Sequence, residues 1–370
     1  WWPHTVEAGR FLDPARHFVV CANIIGSHYG TTGPLHVNPA TGRPWYKDFP
    51  PFTIRDIVRA HILLADALGI GRIGALVGSS VGGFQAVEWA VSEPKRIERL
   101  VLIATAAKAS PWAIAIDETQ RMAIEADTTF GQPRDDAGMK GLAAARAIGL
   151  LSYRGPEGYN LTQQDREKRP AVHRACTYQQ YQGEKLRRRY NTYSYYAILD
   201  AFDTHDAGRG RGGLEQALHS ITARTLVVGI TTDIIFTPAE MRSLHAMIPG
   251  SAYHEIDSPF GHDGFLVEAL HLAHAVHAQP RAVLQPQLMR PVRQFLCHVP
   301  PSPPLCRMVI YTHRQGELCP EIDGEKQAGH RWRVVGAQHA SPGAARGDPY
   351  RLALKWYAPI ASVAALTAQP

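Results

Sequence analysis

Apolar positions along the first 280 residues alternate between two periods. Residues 17–23 (HFVVCAN) form the short continuous apolar run of a buried strand, whereas residues 53–68 (TIRDIVRAHILLADAL) repeat their apolar positions every three to four residues and predict an amphipathic helix. Thr53 with Asp56 is an acidic form of the capping box, and Gly69 follows the last apolar turn. The same reading predicts a strand at 73–77, a helix at 82–91 and a strand at 99–104. Such alternation implies an α/β fold with a mostly parallel sheet and helices on both faces. Strand periodicity fades between 108 and 218, which reads as a helical insertion. Alternation resumes with a strand at 225–230, a helix at 238–247, a strand at 252–256 and a helix at 264–278.

Composition then bounds the class. The chain has 370 residues, 45% of them hydrophobic, enough for a sizeable core and too many for disorder throughout. No apolar run approaches the roughly 20 residues of a membrane-spanning helix, so a soluble protein with no membrane partner is expected. The net charge of +6 raises the question of nucleic acid, but its distribution argues against it. Residues 281–370 hold 11 Lys and Arg against 5 Asp and Glu, while residues 1–280 hold 28 of each. The body carries only Cys21 and Cys176, which fits a reducing, cytoplasmic setting. Beyond 280 the sequence turns to Pro300-Pro301-Ser302-Pro303-Pro304 with scattered Arg and His, and a poorly structured, disordered tail unrelated to the body is expected there.

The most specific local signal is Gly78-Ser79-Ser80-Val81-Gly82, between a predicted strand and a predicted helix. G-x-S-x-G in that setting is the nucleophile elbow, a sharp turn that displays the Ser80 hydroxyl above the sheet. Small residues on either side let strand and helix approach. The backbone N–H of Val81, opening the helix, is the candidate oxyanion donor. A plain β-α turn is the bland alternative. A serine hydroxyl also needs a base, held in one tautomer by an acid. Asp233 follows the strand at 225–230, and His262, in Gly261-His262-Asp263, follows the strand at 252–256. Both fall at strand carboxyl ends, on the sheet edge that displays Ser80, and in the chain order of this fold.

Several stretches together resemble the homoserine O-acetyltransferase family, an acyltransferase branch of the α/β-hydrolase fold. They are Tyr29-Gly30-Thr31-Thr32-Gly33-Pro34, Asn38-Pro39-Ala40-Thr41-Gly42, Phe52-Thr53-Ile54-Arg55-Asp56, the elbow, Ile103-Ala104-Thr105-Ala106-Ala107, residues 203–213 (DTHDAGRGRGG) and Gly261-His262-Asp263-Gly264-Phe265-Leu266. The resemblance implies a triad of Ser80, Asp233 and His262. It also implies that Arg146 and Tyr153, seven positions apart, hold the amino-acid acceptor, and that Asp263 meets its amino group. A guanidinium forks onto a carboxylate and an aspartate pairs with an ammonium, so the chemistry is consistent. Without the family, Arg146 reads as a solvated helix residue, Tyr153 as a core aromatic and Asp263 as a helix cap.

The implied activity is ping-pong transfer of acetyl from acetyl-CoA, the acyl-donor substrate, to the hydroxyl of L-homoserine, within methionine biosynthesis. No bound cofactor and no metal are expected. The partners are L-homoserine and acyl-CoA, with a homodimer through the helical lid. The implied organisation is a first core part at 1–107, a helical lid at 108–218, a second core part at 219–280 and the tail at 281–370. The family's first strands, and a loop supplying a second oxyanion donor, fall upstream of Trp1, so an N-terminally truncated chain is expected. Alternatives are a homoserine O-succinyltransferase, an esterase or thioesterase, and an inactive fragment. Residues 185–189 (KLRRR) suit CoA phosphates or a wet helix face, and residues 208–213 suit an RNA-binding RGG segment or an ordered loop.

Overall fold

A computed structural model of the protein describes residues 12–14, 17–165, 172–269, 271–273, 306–307 and 361–368. Four parallel strands form the sheet that carries the site: β2 (Leu76–Ser79), β3 (Arg99–Ile103), β4 (Arg224–Ile230) and β5 (Ala252–Ile256), in that spatial order. The residues of β2, β3 and all but the first of β4 are buried, as expected for strands covered on both faces. Their side chains sort by the two-residue period. Leu76, Leu100, Leu102 and Val227 join one apolar cluster, while Val77, Val101, Ile103, Leu226 and Val228 join the other.

Helices α1 (Ile54–Ala67) and α2 (Val81–Ser92) pack on the first cluster. The capping box at Thr53 and Asp56 is formed in both directions: the Asp56 N–H donates to the Thr53 hydroxyl, and the Thr53 N–H donates to the Asp56 carboxylate. Between β3 and β4 the described residues form six helices: α3 (Pro111–Glu125), α4 (Met139–Ser152), α5 (Pro156–Gln163), α6 (Arg174–Arg187), α7 (Thr192–Asp203) and α8 (Leu214–His219). After β4 comes α9 (Pro238–Met247), with a second capping box at Thr237 and Glu240. After β5 comes the short helix α10 (Gly264–Val267).

Apart from one-residue shifts at element ends, the structure departs from the sequence reading in three places. The strand expected at 73–77 begins at Leu76 and runs to Ser79, with Ile73 contributing only an isolated bridge to Ile97. The helix expected at 264–278 is interrupted at Glu268; 269 and 271–273 are again helical, and 274–278 lie outside the described residues. The early strand, β1 (Phe18–Asn23), lies outside the four-stranded sheet and pairs antiparallel with β7 (Ala361–Ala368), which also pairs with β6 (Cys306–Arg307). A strand's backbone groups need partners wherever the chain finds them, and apolar periodicity does not encode which partner is used. The tail expectation otherwise falls outside the described residues.

Two basic motifs are absorbed by local pairing. In the 185–189 run, Arg187 and Arg188 both bond Glu184, the Leu186 side chain is buried, and Arg189 reaches the Tyr29 hydroxyl. In the glycine-rich loop, Arg211 forks onto Glu88 of α2 at 2.6 and 2.8 Å, and Arg55 of α1 bonds the same carboxylate at 2.9 Å. Desolvation opposes ionisation of Glu88, but the two guanidiniums outweigh it and hold its pKa below the usual carboxylate value. The loop is thereby strapped to both helices.

Candidate active site

Ser80 sits between β2 and α2 with φ 53° and ψ −130°, a strained combination for a non-glycine residue. The surroundings impose it. Ser80 N–H donates to the carbonyls of Ile103 and Ala104 at the end of β3, and the Thr105 hydroxyl donates to the Ser80 carbonyl at 2.6 Å. Glycine is required on both sides of the turn. A Cβ on Gly78 would stand 2.7 Å from Ala86 Cβ and closer still to the Gly82 carbonyl oxygen, and one on Gly83 would overlap the Thr105 side chain. Val81 opens α2, so its N–H belongs to the first turn, whose amides have no carbonyl partner within the helix.

Asp233 lies in the loop after β4. Its Oδ1 accepts the backbone N–H groups of Ile235 and Phe236 at 2.8 and 3.0 Å, which fixes the carboxylate. Its Oδ2 is 2.7 Å from His262 Nδ1, and His262 Nε2 is 2.9 Å from Ser80 Oγ. An ionised carboxylate only accepts, so Nδ1 carries the proton and Nε2 is the acceptor facing the serine. All three residues are buried. Phe236, Phe265 and Tyr153 surround the imidazole, with ring centroids at 5.4, 5.6 and 6.1 Å. Thr232 ties the acid and histidine loops together: its hydroxyl donates to the Ser258 carbonyl at 2.6 Å and accepts the Gly261 N–H at 2.9 Å.

The three residues implied for the acceptor lie beside this relay. Arg146, on α4, is buried, with its guanidinium carbon 5.5 Å from the centre of the Tyr153 ring. Tyr153, at the end of α4, faces His262. Asp263, next to His262, is buried, and its Oδ2 is 3.3 Å from Arg154 Nη1. The bland reading of Arg146 as a solvated residue does not describe its buried position, whereas Tyr153 is a core aromatic that also faces His262. Arg154, Thr105 and Thr232 were not singled out from sequence. Thr105 lies within one of the family-like stretches, and Arg154 and Thr232 had only their places beside Tyr153 and Asp233 as a signal. Among the described residues no group of three or more His, Cys, Asp and Glu is arranged to hold a metal ion, and no helix is long and apolar enough to cross a membrane.

The chemistry this arrangement supports is acyl transfer through a serine ester, because a hydroxyl, a neutral imidazole and an orienting carboxylate share one hydrogen-bonded line. Comparison with known proteins agrees on the fold. The alpha/beta hydrolase fold family matches residues 1–269. A homoserine O-acetyltransferase of Cyclobacterium marinum is 46% identical over 268 residues, which span 72% of this chain and 76% of that protein. The crystal structure of a homoserine O-acetyltransferase from Staphylococcus aureus superposes with a TM-score of 0.56 at 28% identity, covering 72% of this chain and 75% of the other. The crystal structure of esterase E22 superposes with a TM-score of 0.62 at 27% identity, covering 66% and 71%.

Proposed function

The chain belongs to the homoserine O-acetyltransferase family of α/β-hydrolase-fold acyltransferases, and from that premise we propose that it moves an acetyl group from acetyl-CoA to the side-chain hydroxyl of L-homoserine through an ester on Ser80. The observation that carries this reading is the Asp233–His262–Ser80 relay, with Tyr153 beside its imidazole and Arg146 against the Tyr153 ring.

In the first half-reaction His262 Nε2 takes the Ser80 proton as Oγ attacks the thioester carbon, and the Val81 N–H donates to the developing oxyanion. The C–S bond breaks, CoA leaves with the proton returned by His262, and the acetyl group remains on Ser80. Homoserine then binds with its carboxylate on Arg146 and its ammonium on Asp263. His262 takes the proton of the homoserine hydroxyl, whose oxygen attacks the acyl-serine; the ester to Ser80 breaks, and the proton returns to Oγ. Asp233 stabilises the imidazolium in both halves. Apolar rings around His262 limit access of water, the competing acceptor.

This reading places the product in methionine biosynthesis and the protein in the cytoplasm. It extends to a homodimer through the helical insertion, where Trp112, Met122, Leu151, Leu161 and Tyr181 expose apolar surface. A hydrolase reading draws on the similarity to esterase E22. Incubating the enzyme with acetyl-CoA, with and without homoserine, separates the two. Beyond the single equivalent of CoA released on acylation, continued release that depends on homoserine and yields O-acetylhomoserine is expected; continued release indifferent to homoserine overturns the transferase reading. Succinyl-CoA in place of acetyl-CoA tests the donor.

A further inference from the structure

The junction of α4 and α5 and the histidine loop meet backbone to backbone. Asp263 N–H donates to the Tyr153 carbonyl at 3.0 Å, and Gly158 N–H donates to the Pro259 carbonyl at 3.1 Å. Glycines permit this approach: a Cβ on Gly155 would stand 3.0 Å from Gly261 N, and one on Gly158 would stand 2.7 Å from the Phe260 ring. Across the joint, Arg154 Nη1 is 3.3 Å from Asp263 Oδ2, and Arg154 Nη2 is 3.4 Å from the Tyr178 hydroxyl oxygen on α6. Both side chains are largely enclosed, at 21% exposure for Arg154 and 10% for Asp263.

We propose that Arg154 is a positioning residue for the amino-acid acceptor: it holds the Asp263 carboxylate where the acceptor's ammonium is received. The inference rests on the acceptor reading above and adds to it a residue that touches Asp263 instead of substrate. An ionised carboxylate in an enclosed site is costly without a counter-ion. Asp263 needs one throughout the donor half-reaction, when no amino acid is bound, and Arg154 supplies it. The bond from Asp263 N–H to the Tyr153 carbonyl places that carboxylate in register with Tyr153 and the His262 imidazole.

The test compares the wild type with Arg154→Met, which keeps bulk and loses charge, and Arg154→Lys, which keeps charge. Three quantities are measured: the burst of CoA released on acylation, KM for homoserine, and the preference for homoserine over 4-hydroxybutyrate, which has the hydroxyl and carboxylate but no ammonium. In Arg154→Met the loss is expected to fall on the acceptor. KM rises about tenfold, the preference falls by a similar factor, and Arg154→Lys recovers most of both. An unchanged or lowered KM overturns the proposal. So does an equal loss of burst and transfer that lysine does not rescue, since that marks a purely structural contact. A wild type that sustains CoA release over many turnovers irrespective of homoserine takes down the acceptor reading and this role together. A working transferase with an indifferent Arg154→Met overturns this role alone.

Discussion

The Nε2 atom of His262 stands 2.9 Å from the Ser80 hydroxyl oxygen, although 182 positions separate the two residues along the chain. A base at that distance, with its other nitrogen held by Asp233, is placed to activate the Ser80 hydroxyl for the first half-reaction of the proposed mechanism. Ser80→Ala is therefore expected to abolish formation of an acyl-enzyme and to lower turnover by on the order of a million-fold, as at other serine nucleophiles. Asp233→Asn, which disturbs the tautomer and leaves the shape, should cost about 10,000-fold. Intact-mass spectrometry after mixing with acetyl-CoA reads the first, and steady-state rates read the second. An acetylated Ser80→Ala protein would remove this serine from the mechanism.

The elbow's close packing predicts a separate stability effect. A methyl group on Gly78 meets Ala86 and the Gly82 carbonyl with little room to yield, because strand and helix are both buried there. Overpacking of this kind costs about 1–3 kcal/mol. Gly78→Ala should lower the urea midpoint accordingly and also lower the rate of acylation by displacing Ser80. Gly42→Ala is the contrast: its added Cβ meets nothing within 4 Å, so only the strain of its positive φ, 69°, is at stake. Equal acylation rates in Gly78→Ala and the wild type would show that the turn tolerates the extra carbon.

Burial of His61 and His205 predicts the pH dependence of stability. Desolvation pushes both imidazoles down to about 4. His61 packs near Trp89, while His205 stacks on Phe84 with centroids 4.2 Å apart. Weaker influences from Glu88, Asp206 and the Ala106 carbonyl work in the opposite sense on His205 and do not cancel the effect of burial. Unfolded histidine titrates near 6.5, so between 6.5 and 4 the unfolded chain binds protons that the folded chain refuses. Stability present above 6.5 is lost as pH falls through that window, by about 3 kcal/mol per histidine at its acid end. Urea midpoints measured from pH 7.5 to 4.5 should fall, and His61→Leu should flatten part of the fall. An unaltered pH profile in His61→Leu would mean that its imidazole is not desolvated in solution.

How much of this was legible in the sequence follows the range of the interactions. The boundaries of α9 and β5 coincide with the sequence reading because they are set locally, by Thr237, Pro238 and Glu240 at one and a short apolar run at the other. The parallel arrangement of β2 to β5 was legible because each strand leads into helical periodicity. Placing Asp233 and His262 on the same edge as Ser80 needed only their positions after predicted strands, but the 2.7 and 2.9 Å distances come from tertiary packing. The pairing of Arg154 with Asp263 had no local signature. The partner of β1 was equally invisible, because a continuous apolar run specifies burial and not which edge it joins.

The buried guanidinium of Arg146 carries the last prediction, which concerns the acceptor alone. Arg146 lies against the Tyr153 ring, and that ring faces His262, so a carboxylate bound by Arg146 would sit within a few side-chain lengths of the reacting imidazole. A bidentate charged contact is worth roughly 1.5–3 kcal/mol. Arg146→Ala should therefore raise KM for homoserine by at least about tenfold, while the acetyl-CoA burst, which precedes acceptor binding, falls far less. Homoserine methyl ester, which lacks the carboxylate charge, provides the control. It should be a poor acceptor for the wild type and lose little further in Arg146→Ala. Equal losses with homoserine and its ester would place the acceptor's carboxylate elsewhere and leave Arg146 as a support for Tyr153.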